Sequence, residues 1–260
     1  MMNIVVCIKQ VPDTNEIKIN PATGTLIREG VPSIINPDDK GGLEFALRLK
    51  ESAGASVTVI TMGPPQADVA LREALAMGAD RAILLTDRAF AGADTLATSH
   101  ALAGALRRLD WDLIVAGRQA IDGDTAQVGP EMAEHLDIPQ VTYVADIDWD
   151  GKEFSVRKED EGGYQLLKVA PPCLVTVLAS AVKPRYMSVG GIVDAYSKEV
   201  EIWGADRIEV DPERLGLKGS PTKVHASFTK PPKTPGELHE LSPEEAADLI
   251  IERLKAKFII

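Results

Sequence analysis

The chain has 260 residues, 45% hydrophobic and 26% charged, which suits a folded globular protein with a substantial core and argues against a disordered one. Its 39 acidic residues outnumber 28 basic ones, for a net charge of −11; the molecule repels nucleic acid, and a phosphate site would have to be local and built from backbone amides. Cys7 and Cys173 sit in apolar runs without a CxxC partner, and the histidines at 100, 135, 225 and 239 lack zinc-ligand spacing, so no disulfide framework, iron–sulfur cluster or metal centre is expected. The opening MMNIVVCIKQ lacks the features of a signal peptide, and no run approaches the roughly 20 apolar residues of a membrane helix. A cytoplasmic protein without membrane insertion is expected.

In chain order, apolar runs at residues 4–8, 57–61, 82–85 and 113–116 predict strands buried on both faces. Periodic segments at 38–50, 66–77, 95–109 and 125–136 predict the helices that follow them. The long first connection carries β-prone pieces around NPATG, which predicts an inserted hairpin between residues 13 and 33. Past Pro139 the pattern alternates, with strands expected at 141–147, 154–157, 164–170 and 174–178 and turns at 149–152 and 159–163. From residue 205 the chain is rich in prolines and charges until a capping box, Ser242 and Glu245 with Pro243 at N1, opens a helix over 243–257. Its apolar side and the ending Phe258, Ile259 and Ile260 need cover, either from the chain's own core or from a partner. The fold class is therefore α/β, a doubly wound, mostly parallel Rossmann-like sheet with an antiparallel extension, over residues 1–204, followed by a C-terminal arm, 205–260.

Residues 112–130, DLIVAGRQAIDGDTAQVGP, carry the strongest functional signal. A buried strand runs into a polar loop in which Gly117, Gly123 and Gly129 permit unusual backbone angles or close ligand approach. Asp124 and Thr125 are good N-caps, so a helix is expected to start there, with the free amides of Ala126 to Val128 facing an anion. If the first and fourth strands are neighbours, the loops after Ile8 and Ala116 meet over one crevice. GxGxxG and the P-loop are both absent.

GRQAIDGDTAQVGP, together with VCIKQVPD, NPDD, ALAMGADRA and KPRYMSVGGI, resembles the beta subunit of electron transfer flavoprotein over nearly the whole chain. The resemblance implies an adenine-nucleotide-binding type of fold, one half of a heterodimer with an alpha subunit, and a redox electron carrier with no catalytic side chain, whose central loop holds the phosphates of FAD or AMP. The matching positions are Cys7, Asn36, Asp38, Asp39, Met62, Gly117, Arg118, Gln119, Asp122, Gly123, Asp124, Thr125, Ala126, Gln127 and Val128. Asn36 and Asp38 also read as turn and cap residues, Cys7 as a small core residue, and Arg118 as a surface charge or as a partner for phosphate or reduced flavin.

Thr95 and Thr98 lie three apart behind the N-cap candidate Asp94, so both hydroxyls can project from one edge of a first helical turn; ordinary capping is the alternative. With Gly123 they resemble the electron-bifurcating branch of the family, which favours FAD with AMP as the alternative. That branch implies NADH as donor, ferredoxin or flavodoxin as low-potential acceptor, and an acyl-CoA dehydrogenase reached through the alpha subunit. Within the partner-recognition loop, 183–195, the matching residues are Tyr186, Met187, Ser188, Val189, Gly190, Gly191 and Ile192. Val189 and Gly190 stand where classical members carry Leu-Pro, and the paired glycines suggest a mobile tip or a simple turn. The resemblance also makes the C-terminal segment an arm onto the alpha subunit. An ATP-pyrophosphatase on a similar fold would want SGGxDS after its first strand, whereas Lys9 to Asp13 read KQVPD and the SVGGIVD at Ser188 is misplaced.

Overall fold

The computed structural model describes residues 1–13, 18–19, 26–27, 32–222 and 235–260. They divide into two compact units, Met1–Ala226 and Ser227–Ile260.

The first strand, β1 (Asn3–Cys7), shows how the sheet is built. Ile4 and Val6 enter one core while Val5 and Cys7 enter the other, as an apolar run sandwiched between two helical layers requires. Short antiparallel pairs follow, β2 (Gln10–Pro12) with β5 (Ser33–Ile35), and β3 (Lys18–Ile19) with β4 (Leu26–Ile27). The NPATG turn of the expected hairpin lies outside the described residues. Helix α1 (Pro37–Ala53) starts with Pro37 in its first turn and ends at Gly54, whose φ of 67° no side chain accepts easily. Then come β6 (Ser56–Met62), α2 (Asp68–Met77), β7 (Arg81–Leu85), α3 (Thr95–Leu106), β8 (Leu113–Gly117) and α4 (Val128–Leu136). The chain continues through β9 (Gln140–Trp149), β10 (Phe154–Asp160), β11 (Gly163–Val169), β12 (Cys173–Val177), α5 (Val189–Ser197), β13 (Val200–Trp203) and α6 (Gly216–Gly219).

The strands form one nine-stranded sheet in the order β11-β10-β9-β12-β8-β1-β6-β7-β13. Helices α1, α2 and α5 pack on one face, with Leu43, Leu47, Leu71 and Ala195 in that core. Helices α3 and α4 cover the other through Leu102, Leu106 and Met132. Strand β1 pairs in parallel with both β6 and β8. The order of winding therefore reverses between β1 and β8, and the expected crevice opens there. Among the described residues no helix is long and apolar enough to cross a membrane.

The structure departs from the sequence reading in four places. Residues 174–178 do not extend the antiparallel part: β12 inserts in parallel between β8 and β9, and only β9, β10 and β11 run antiparallel. All five residues of β12 are buried, the signature of a strand inside a parallel sheet rather than at its margin. The helix expected from residue 125 begins at Val128. Pro130 then falls in its first turn, where the missing N–H costs nothing; in a longer helix the ring would have broken the ladder. Strand β13 was not expected, because VEIW is short and half polar, yet it pairs with β7 at the sheet edge. The sequence division after residue 204 also differs from the observed one, since Ile208 and Leu215 are part of the core on the α3 and α4 side.

In the second unit, α7 (Pro243–Ala256) begins with the expected capping box and buries none of its side chains. Arg253 bonds Glu237 at 3.0 Å within that unit.

Candidate functional site

At the carboxyl ends of β1, β6, β7 and β8 lies a cavity of about 840 Å³, in the upper part of the range usual for cofactor pockets. Of the positions matched by sequence, Cys7, Asp39, Met62, Thr95, Thr98, Gly117, Arg118, Gln119, Gly123, Thr125, Ala126, Gln127 and Val128 line it. Asn36, Asp38, Asp122 and Asp124 are outside that lining and act on the loops behind it. Sequence reasoning missed the walls supplied by Gly63 to Pro65 after β6, by Thr86 and Phe90 after β7, and by Leu102 and Met132. The signal was present: in a doubly wound sheet every loop leaving a strand on this side approaches the switch point.

The start of α1 clamps these loops together. Asn36 is fully buried; its Nδ2 donates to the Gln119 carbonyl at 2.8 Å and its Oδ1 accepts from the Ile121 N–H at 3.0 Å. Although it stands at the N-cap position, its side chain caps nothing. Asp38 accepts from the Ala179 N–H at 2.8 Å and the Gln119 N–H at 3.3 Å, and lies 3.4 Å from Arg118 Nε. Asp39 accepts from the Lys9 N–H at 2.8 Å and the Gly117 N–H at 2.9 Å, joining the ends of β1 and β8. Lys9 Nζ meets Asp122 at 2.6 Å, and Gln119 Nε2 donates to Asp124. Burial pushes the Asp39 carboxyl up to about 7 against these donors, and pushes the Cys7 thiol up to about 12 with help from the Asp39 charge. Cys7 is accordingly a neutral packing residue, with no thiolate for redox chemistry.

Two helix N-termini open on the cavity. At α3, Asp94 is the N-cap, accepting from the Ala97 N–H at 3.0 Å, and Thr95 Oγ1 reaches Gln127 Oε1 at 3.0 Å and Glu131 Oε1 at 3.3 Å. Before α4, Asp124 and Ala126 take φ of 55° and 54°, and Gln127, in a right-handed conformation, provides no side-chain cap. A left-handed residue followed by a right-handed one, as at Ala126 and Gln127, turns successive amides toward one side, which makes an anion nest. The left-handed positions are thus Asp124 and Ala126, while Gly117 and Gly129 are glycines for another reason. A Cβ at Gly117 would meet Asp39 Oδ1 at 2.2 Å, and one at Gly129 would meet Thr176 Cγ2 at 2.5 Å. Gly123 has open space around it.

Behind the cavity His100 and His135 join α3 to α4, their ring centroids 5.5 Å apart. Burial, then the Arg214 charge, holds both below the ordinary 6.5, with Arg107 and, for His100, the neighbouring His135 adding to it. The folded state thus favours neutral rings, so their stabilisation is present above 6.5 and is lost as pH falls below it. Asp39, raised from 3.8 to about 7, acts with the opposite sign over that interval, losing stability as pH rises. The histidine contribution is therefore read as a difference: thermal unfolding of the H100Q/H135Q double variant should lose less stability on acidification below 6.5 than the parent does. Parallel pH profiles would refute it.

On the other face of the sheet, Arg185 anchors the segment that precedes α5. Its guanidinium holds Glu44 at 2.9 and 3.0 Å and Glu51 at 2.5 Å. Gly190 and Gly191, read from the sequence as a mobile tip or a simple turn, lie in the first turn of α5, capped by Ser188, whose Oγ accepts from the Gly191 N–H at 2.9 Å. Gly191 is small because a Cβ there would meet the Ala76 carbonyl at 2.4 Å. Tyr186, Val189, Val193 and Tyr196 remain exposed, with Met187 and Ile192 less so.

A doubly wound sheet with a large cavity at its switch point, beside the starts of two helices, defines a class of α/β ligand-binding proteins. Among the described residues no group of three or more His, Cys, Asp or Glu side chains could hold a metal ion. Residues 23–207 match the family described as "Electron transfer flavoprotein domain". Over 259 residues, all of both chains, the sequence is 61% identical to "Electron transfer flavoprotein subunit beta" of Clostridium acetobutylicum. It is 54% identical over 262 residues, again all of both, to "Caffeyl-CoA reductase-Etf complex subunit CarD" of Acetobacterium woodii. The "Acryloyl-CoA reductase electron transfer subunit gamma" of Anaerotignum propionicum is 46% identical over 268 residues, also full length in both. The chain belongs to the electron transfer flavoprotein family, as a subunit of the beta type that serves in electron transfer.

Proposed function

We propose that this chain binds FAD in the switch-point cavity and, paired with an alpha subunit in the cytoplasm, works as the bifurcating half of an electron transfer flavoprotein. The observation that carries the reading is the cavity's division of labour. One side offers the nest at Asp124 to Gln127 and the starts of α3 and α4, which suits phosphates. Met62, Phe90, Leu102 and Met132 line the same space with apolar surface, which suits flat rings, and about 840 Å³ is more than a mononucleotide fills. When bound, FAD would supply the redox chemistry, a two-electron uptake from NADH divided into single electrons for ferredoxin or flavodoxin and, by way of the alpha subunit, an acyl-CoA dehydrogenase. This chain's residues bind and orient: the nest amides and the Thr95 and Thr98 hydroxyls hold the nucleotide, Asp39 and Asn36 keep the loops closed, and Arg118 supplies the cation at the rim. The exposed apolar side chains from Tyr186 to Ile192 form the docking segment for the dehydrogenase. Relatives named for acyl-CoA reductase complexes support this branch.

The test is nucleotide content. The heterodimer obtained by co-expression with the alpha subunit should release two FAD, whereas one FAD with one AMP would reject the bifurcating assignment in favour of a non-bifurcating subunit. Changing Thr95 and Thr98 together to alanine should weaken retention of the FAD in this chain by roughly five- to a hundredfold, as two lost hydrogen bonds imply, and leave the other FAD in place. Equal loss of both would point to a weakened fold instead.

A further inference from the structure

Tyr143 in β9 takes a φ of 56°, a left-handed conformation that a bulky aromatic residue adopts only under constraint. It sits where the register between β9 and β12 shifts, between Val175 and Val177. Its N–H reaches Thr176 Oγ1 at 3.4 Å in place of a regular ladder bond. Such bulges re-aim a side chain, and they recur beside functional sites. Here the ring is aimed at Arg118, whose guanidinium carbon lies 6.0 Å from its centroid.

Arg118 follows Gly117 directly at the end of β8 and lines the cavity. The Asp38 carboxylate stands 3.4 Å from its Nε, and Nε is buried without a hydrogen-bond partner. The guanidinium is therefore flanked by a ring and a carboxylate, and its Nε carries no hydrogen bond. A long arginine side chain loses considerable rotamer freedom when fixed in this way, so a cation placed thus beside the cavity has a use for its remaining N–H groups.

We propose that Tyr143 is a positioning residue: the strained bulge in β9 sets its ring against Arg118, so that the guanidinium presents free donors to the anionic part of the nucleotide in the cavity. The inference rests on the reading that this cavity holds a nucleotide, and extends it to a residue outside the 112–130 segment that carries the motif. Nothing in the period of VTYVADI marks Tyr143 as different from its neighbours; only the backbone does.

The test uses the intact heterodimer. Its bound nucleotides are identified first: AMP in place of the second FAD overturns the FAD reading alone, and the variants are then scored by AMP release instead. Absence of any nucleotide from this chain overturns both. Y143A and R118A should each speed nucleotide release about tenfold, the scale of a partly desolvated cation–π contact, while Y143F stays within about twofold of the parent. The double variant should release no faster than either single one. Y143G should release as fast as Y143A yet unfold at no lower temperature than the parent, because glycine accepts the left-handed φ without strain. Release at the parent rate in Y143A, multiplicative effects in the double variant, or a fall in unfolding temperature in Y143G that tracks its faster release would each overturn the proposal.

Discussion

Replacing Gly117 with alanine is expected to destabilise the chain by roughly 3 kcal/mol, the upper part of the usual range for overpacking, and to empty the cavity. The added Cβ would stand 2.2 Å from Asp39 Oδ1, 2.7 Å from the Asp39 backbone nitrogen and 2.8 Å from the Asp38 Cβ. Two of those three atoms belong to the first turn of α1 close to its backbone, so no flexible side-chain tip can swing clear. Either the helix start or the end of β8 must move. Movement breaks the 2.9 Å bond from the Gly117 N–H to Asp39 and loosens the grip of Asp38 and Asn36 on residues 119–121. Thermal unfolding should fall by roughly 6–12 °C for a chain of this size, and nucleotide should be lost from the purified heterodimer. The control is G123A, which meets no atom within 4 Å and has no positive φ; it should unfold as the parent does. A G117A protein with parental stability and full cofactor content would show that α1 yields easily, and the clamp would lose its explanation.

The two glycines illustrate what the sequence could and could not tell. Their place in a loop after a buried strand was legible, because Leu113 to Ala116 is an apolar run bounded by polar residues. Which glycine is constrained, and by what, was not, since the constraint at Gly117 comes from Asp39, 78 residues away in the chain. For the same reason the family pattern, which matches Asn36 and Asp38 to nucleotide contacts, does not disclose that their side chains bond the backbone of residues 119, 121 and 179. Local chemistry misled at Asp124: as a good N-cap it invited a helix, yet the residue bonds Gln119 and takes a left-handed angle, and Pro130 alone could have moved the start to Val128. Alternation found the β9 to β11 meander but could not order β12 within the sheet, since a period of two is silent about which neighbour a strand chooses. The cavity walls after β6 and β7 follow from topology, and became visible only once the position of β1 between β6 and β8 was known.

Ending the chain before Ser242 is expected to weaken assembly with the alpha subunit while leaving the Met1–Ala226 unit folded. Helix α7 places Ala246, Leu249, Ile250 and Leu254 along one side, and within its own unit none of its side chains is buried. Ile250 is 59% exposed, and the ending Phe258, Ile259 and Ile260 are 96%, 62% and 66% exposed. A contiguous apolar surface of that kind is unfavourable in water and marks a docking site. A helix of 14 residues is also marginal on its own, even with its capping box, so it needs tertiary cover to persist. Burying each large apolar side chain on a partner contributes roughly 1.5–3 kcal/mol, and several together exceed the cost of ordering the arm, even after the general losses of association. Removal of residues 242–260 should therefore raise the dissociation constant of the heterodimer by at least about a hundredfold, equivalent to about 2.7 kcal/mol. Sedimentation of the mixed subunits reads the assembly, and circular dichroism of the truncated chain reads its fold. Undiminished assembly would sink the arm hypothesis. A melted α/β unit would assign the helix to this chain's own interior.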